Sequence, residues 1–188
     1  KYDKYRLISK NGDVCLFTGK TFISNTIMYL DDAPVSHSGL VYNNGTRLFL
    51  IDSNLDGVNP NWLSNRVKNE SHDFIIIRFN KPQAEIDVAV NNAIDKGETG
   101  IKYDKWLLPK IALSRKLGYK VKRENNKKDI CSEFTGRRYA AGYLSIESYR
   151  DCLSKWGYMT PYDHVRYLDK QEAEIVVPLG FENKTINN

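Results

Sequence analysis

Three residues of this chain have the types and spacing for nucleophilic chemistry: His37, Asp52 and Cys131. A carboxylate that holds an imidazole in one tautomer makes a base, and such a pair usually serves a nucleophile such as a thiol. His37 lies in Val35-Ser36-His37-Ser38-Gly39-Leu40-Val41-Tyr42, and Asp52 ends Arg47-Leu48-Phe49-Leu50-Ile51-Asp52. Both stretches are rich in β-branched and aromatic residues and read as strands. Between them stands Asn43-Asn44-Gly45-Thr46. Asn-Gly is the strongest two-residue hairpin signal, because both turn positions take positive φ. With Asn44 and Gly45 as the turn, Val41 faces Leu48, Gly39 faces Leu50, and His37 falls directly opposite Asp52. Directly opposed residues have Cβ atoms about 5 Å apart. The pairing depends on register, since a slip of one residue would put the two side chains on opposite faces. A surface His–Asp pair worth a few tenths of a kcal/mol satisfies the same pattern.

Cys131 stands in Asp129-Ile130-Cys131-Ser132-Glu133-Phe134, where the pattern predicts a helix over 129–141 with Gly142 as C-cap. A cysteine in the first turn feels about half a positive charge, which favours thiolate over thiol. Asp129 or Ser132 can cap the free amides there, and a backbone N–H at the same helix end can hold an oxyanion. A buried cysteine at a helix start with no chemistry is the plainer alternative. Cys15 sits in an apolar strand and Cys152 between Asp151 and Leu153, and both read as core residues. Three widely spaced cysteines without a CxxC do not make a zinc site, so neither metal nor cofactor is expected.

Around these residues the chain reads as alternating short elements. A turn enters a strand at 12–17, and 18–32 mixes polar and apolar residues in the manner of a short helix and a loop. Asp56-Gly57 is a turn, 73–79 is β-rich, and 84–96 has helical apolar spacing with Gly97 as a stop. Residues 103–117 predict a helix broken or kinked near Pro109, followed by a polar loop at 125–128. Thr160-Pro161-Tyr162-Asp163 opens another helix with Thr160 as N-cap, and 174–179 is a last strand. No repeat or interdomain linker interrupts 1–188, so one α+β domain is expected.

At 188 residues the chain is long enough for a real core, and no run of about 18 apolar residues predicts a membrane-spanning helix. No signal-peptide pattern opens it, and a start at Lys1 instead of Met leaves open whether a leader has been removed. The net charge of +5 is concentrated between Lys102 and Lys128. That segment suits an anionic polymer or an anionic membrane surface, or is a solvated helix and loop. It carries charge but no candidate nucleophile or base, and so reads as an accessory surface. No helix-turn-helix, RNA-binding motif or glycine-rich phosphate loop is present, so no specific nucleic-acid partner is expected.

Gly12-Asp13-Val14-Cys15-Leu16-Phe17, Ser36-His37-Ser38-Gly39-Leu40-Val41, Cys131-Ser132-Glu133-Phe134 and Thr160-Pro161-Tyr162-Asp163, in this order, resemble the circularly permuted papain-like amidases. These are the YiiX-like branch of the NlpC-type cysteine hydrolase superfamily, and lecithin retinol acyltransferase is a more distant relative. The resemblance runs from about Gly12 to Leu179. It implies a permuted papain-like fold, a small antiparallel sheet packed against helices with the cysteine at a helix N-terminus. It implies Cys131 as nucleophile, His37 as general base and Asp52 as the residue that orients the imidazole. Glu is more usual at the last position, and Asp is shorter by one methylene. The resemblance also gives Asp13 a structural role and lets Tyr103 lend a hydroxyl near the oxyanion.

The resemblance implies a cysteine hydrolase that cleaves an amide, such as a cell-wall peptide bond, or an acyl bond through a Cys131 thioester. An acyltransferase or lipid thioesterase on the same fold is the alternative that a hydrophobic acyl channel would favour. A non-catalytic virion or envelope binding module is the third. The abundance of Lys, Asn, Ile and Tyr fits an AT-rich genome, that of a low-GC bacterium or its phage. It leaves envelope, cytoplasm and virion open, and oligomeric state as well.

Overall fold

The structure is a computed structural model that describes residues 2–19, 21–54, 56–69, 74–98, 101–104, 106–122 and 128–178. Six strands are β1 (Val14–Phe17), β2 (His37–Asn43), β3 (Leu48–Asn54), β4 (Gly57–Trp62), β5 (Ile75–Phe79) and β8 (Ala173–Val177). They form one sheet in the order β4-β3-β2-β1-β5-β8, and every neighbouring pair is antiparallel. Two further strands, β6 (Lys102–Tyr103) and β7 (Lys128–Asp129), pair in parallel.

Both faces of the sheet are covered, which is why Val14, Cys15, Leu16 and Phe17 are all buried instead of alternating. One face packs Leu16, Leu40, Ile51 and Ile77 under α4 (Gln83–Glu98), a helix over Glu133–Tyr143, and α6 (Glu147–Trp156). The other packs Phe17, Val41 and Leu50 against Tyr5 of α1 (Tyr2–Ile8) and Leu63 and Val67 of α3 (Leu63–Asn69). The remaining helices are α2 (Phe22–Asp31), α5 (Leu107–Leu117) and the single turn α7 (Asp163–Arg166). The expected α+β class, with an antiparallel sheet packed against helices, is the observed one.

Several local expectations are corrected. The hairpin loop has four residues instead of two: the ladder ends at Asn43↔Leu48, with Val41 opposite Leu50 and Leu40 opposite Ile51. Gly45 has φ +89, but Asn44 does not take the positive φ that a two-residue turn of this kind needs. Asn44 Oδ1 instead accepts from the amides of Thr46 and Arg47, an Asx turn that widens the loop. Gly97 does not stop α4, whose apolar stripe of Ile86, Val90 and Ala93 carries it to Glu98. Pro109 does not break α5, because it falls in the first turn, where its missing N–H has no helical acceptor to lose.

The cysteine helix runs past Gly142. It is a π-helix over Glu133–Tyr143, closed by Leu144 N–H bonding Tyr139 O, with Ser145 at φ 56 beyond it. The last helix begins at Asp163 instead of Thr160, and the Asp163 carboxylate accepts the Thr160 amide at 2.8 Å. Leu179, Asp73 and residues 123–127, where part of two expected strands and most of the polar loop fall, lie outside the described residues.

Candidate active site

The two-residue shift of the hairpin removes the expected direct opposition of His37 and Asp52 but not their contact. Side chains alternate with period two, so a shift of two leaves both on one face as diagonal neighbours. His37 Nε2 lies 2.7 Å from Asp52 Oδ2. Asp52 is fully buried, and two residues that the sequence did not single out complete its shell. Asn61 Nδ2 donates to Oδ1 at 2.9 Å, and Arg66 Nη2 donates to Oδ2 at 2.6 Å. Asp52 pairs with Asn59 across β3 and β4, so Asn61, two residues on, points to the same face. Burial alone would raise the Asp52 pKa, but His37, Arg66 and Asn61 outweigh it and hold the carboxyl below its usual value.

Cys131 begins the helical turn closed by Phe134 N–H to Ile130 O. The parallel pairing of Tyr103 with Asp129 carries the chain into it. The His37 ring and the backbone amides of Ser38 and Ser132 are the groups that act on the Cys131 thiol. Since Nε2 is taken by Asp52, Nδ1 is the ring nitrogen left for the sulfur. Burial opposes charge on both partners, yet mutual attraction wins. His37 is raised to about 10 against desolvation by the Cys131 charge and by its bonds to Asp52 and Cys131. Cys131 is lowered against desolvation by His37 and the two amides. The two shifts run toward each other, and both favour moving the thiol proton toward the imidazole. Burial instead pushes the thiols of Cys15 and Cys152 up, in keeping with their expected place in the core.

Ser132 does not cap this helix start with its side chain. Ser132 Oγ donates to Met159 O at 2.6 Å, and the Asp129 carboxylate receives Arg138. Glu133 Oε1 accepts Met159 N–H at 3.3 Å, so the two residues after Cys131 grip both backbone groups of Met159. Behind the cysteine, Thr135 Oγ1 donates to Cys131 O at 3.1 Å. A hydroxyl has one proton, so Thr135 accepts from Ser38 Oγ at 2.8 Å and from His164 Nε2 at 2.9 Å. Thr135 thus ties the cysteine helix to β2, where Ser38 follows His37. Asn61, Arg66, Thr135 and His164 come from separate elements, and no spacing in the chain announces them. Asp13 is structural as expected, bound by Arg78 through both carboxylate oxygens at 2.9 and 2.8 Å.

Cys131 lies in the wall of a cleft of about 570 Å³. Ile23, Ile27 and Leu30 of α2 and Leu108, Ile111 and Leu113 of α5 make two walls, with Tyr103 and Ile130 beside the sulfur. Burial and the charges of Cys131 and Asp104 raise the Tyr103 pKa, so its hydroxyl remains a donor. The segment expected to be accessory therefore builds the cleft. The C-terminal end of α2 is fixed electrostatically: Arg166 holds Asp31 at 2.5 Å, Arg115 holds Asp163 at 2.5 Å, and Arg115 reaches Asp31 at 3.9 Å.

No protein-family model matches the chain, and no curated protein matches it. A solved structure does. The metalloprotein YiiX of Escherichia coli O157:H7, assigned to DUF1105, is similar with a TM-score of 0.55 and 12% identity, over 75% of this chain and 69% of that one. The chain has a YiiX-like fold. A metal of the kind named for that protein does not fit the donors here. Among the described residues no three His, Cys, Asp or Glu side chains are grouped to hold an ion, and the Asp52 oxygens are taken by His37, Asn61 and Arg66.

Proposed function

We propose that the protein is a cysteine hydrolase that works through a Cys131 thioester, within a permuted papain-like arrangement of the YiiX-like fold. One observation carries the reading: His37 Nε2 lies 2.7 Å from the buried Asp52 carboxylate, and His37 and Cys131 shift each other's pKa. With the thiol proton passed to His37, the Cys131 thiolate attacks the carbonyl carbon. The C=O electron pair moves onto oxygen, where the Tyr103 hydroxyl and the amides at the helix start are the available donors. The carbon–leaving-group bond then breaks, and His37 gives its proton to the departing nitrogen or oxygen. Water attacks the thioester as His37 takes its proton, and the tetrahedral adduct expels the thiolate and releases the acid. Asp52 keeps the ring oriented and stabilises its charge, and Arg66 and Asn61 keep Asp52 ionised.

The cleft favours the second reading of the bond, an acyl group. Its walls are aliphatic and reach the sulfur, which suits a hydrocarbon chain better than the polar backbone of a peptide. Water or a second acceptor resolves the same thioester, so hydrolase and transferase share these steps. The test is intact-mass detection of an acyl adduct after mixing with activated esters of increasing chain length. An adduct on Cys131 that forms faster with longer chains is expected. Absence of any adduct, with no effect of Cys131→Ala on the organism that carries the protein, would return the chain to a binding module.

A further inference from the structure

Helix α2 is built backwards for a globular protein. Its sequence is Phe22-Ile23-Ser24-Asn25-Thr26-Ile27-Met28-Tyr29-Leu30-Asp31, and its one buried residue is the charged Asp31. Phe22 and Tyr29 are 85% and 86% exposed. On α5, the other wall of the cleft, Pro109, Leu113 and Leu117 recur every four residues on the outward side, with Leu117 64% exposed and Trp106 67% exposed before the helix. Elsewhere the exposed large apolar residues Leu7, Val88 and Ile175 stand singly, and Trp62 is covered by the Arg47 guanidinium at 4.3 Å. Among the described residues, α2 and α5 are where several come together, on both sides of one opening.

The α5 side of this patch is basic. From Trp106 to Lys122 there are five basic side chains and no acid. Lys116, Lys120 and Lys122 are exposed. Of the acids on α2, Asp31 is spent on Arg166 and Arg115, and Asp32 follows its end. Exposed aromatic and aliphatic side chains beside a run of lysines are the composition of a surface that sits at the headgroup level of an anionic bilayer. Aromatic rings with a polar tip suit that boundary, and lysines gain there from the negative surface potential.

We infer that the outward faces of α2 and α5 dock on an anionic lipid bilayer, with the cleft mouth turned to the membrane. The inference rests on the acyl reading of the cleft and adds where the acyl chain comes from: it slides from the bilayer between the two helices toward Cys131 without crossing water. The lysines draw the protein to the surface, and Phe22, Tyr29, Leu113 and Leu117 supply the apolar contact.

The test separates docking from chemistry. The Cys131→Ser chain is sedimented with phosphatidylcholine vesicles and with vesicles that also contain phosphatidylglycerol. Binding to the anionic vesicles is expected, with weak binding to the neutral ones. Tyr29→Ser combined with Leu117→Ser, two exposed positions outside the cleft lining, should weaken vesicle binding about tenfold or more. In the chain with Cys131 intact, the same pair should leave turnover of a short soluble thioester unchanged. No binding to anionic vesicles, or binding indifferent to the double substitution, overturns the docking surface. So does a concentration-dependent dimer that the double substitution abolishes, since a second copy then covers the patch. Loss of soluble-thioester turnover in Cys131→Ala, measured separately, bears on the catalytic reading alone.

Discussion

The surroundings of His37 and of His164 are a few hydrogen bonds apart, linked through Ser38 and Thr135, yet they drive their imidazoles in opposite directions. His164 is fully buried and the His37 side chain keeps 17% exposure, and burial alone disfavours the charged ring in both. His37 has the Asp52 carboxylate on Nε2 and the Cys131 thiol acting on the ring, and is raised to about 10. His164 has a hydroxyl on Nε2, the edge of Tyr149 with ring centroids 5.2 Å apart, and no hydrogen-bond partner for Nδ1 among the described residues. Burial lowers it to about 3. A buried histidine is thus a charged reagent or a neutral strut according to whether an acid faces it, and the comparison can be broken at either end.

The largest effects belong to the charged end. Cys131→Ala should abolish turnover of an activated acyl ester, and His37→Ala should come close, each a loss of about a thousandfold or more. Turnover that survives Cys131→Ala would end the thioester mechanism. Asp52→Asn should cost about ten- to a hundredfold, because it orients the ring without touching the substrate. It should also raise the pH at which Cys131 is alkylated. An unchanged alkylation profile would show that Asp52 does not support the ion pair.

The pair also makes a pH prediction whose sign follows from the two shifts. His37 is raised, so its contribution to stability is full below about 6.5 and lost as pH rises through about 10. Cys131 is lowered, so its contribution is full above its ordinary range and lost as pH falls through the lowered value. The ion pair lives between these limits. Alkylation of Cys131 should therefore already be fast at neutral pH, while Cys15 and Cys152 stay unmodified in the folded protein. Equal labelling of all three thiols would remove the distinction.

The smallest effects on activity belong to the neutral end. His164→Gln should change turnover by no more than a few-fold and lower stability by about 1–3 kcal/mol, through the lost ring contact and Thr135 bond. Because His164 stays neutral to about 3 while the unfolded chain protonates near 6.5, it makes the protein less stable as pH falls through that range. Urea unfolding between these pH values should be less acid-sensitive in His164→Gln. A thousandfold loss of turnover instead would make His164 part of the reaction.

How much of this was legible in the chain varies from residue to residue. Asp52 was found beside His37 through a register that is off by two, and the contact survives because strand parity has period two. An error of one would have destroyed it. Pro109 misled because the start of α5 depends on the strand pairing of Tyr103, which no local pattern reveals. Gly142 misled because the helix widens to i→i+5 bonding and closes beyond it, with Leu144 N–H on Tyr139 O. Asn61, Arg66, Thr135 and His164 were not legible, since each meets its partner only after distant elements pack.

By itself the sequence determined the residue types capable of the chemistry, the strand parity that sets His37 and Asp52 on one face, and the helix start that carries Cys131. These are local properties, dictated by backbone periodicity and by the free amides of a helix N-terminus. Tertiary structure alone decided that the two buried histidines shift in opposite directions, that one thiol is lowered while the other two are raised, and that Cys131 lines an apolar cleft between α2 and α5. Those outcomes depend on desolvation and on charges brought together across the fold, and neither exists until the chain has packed.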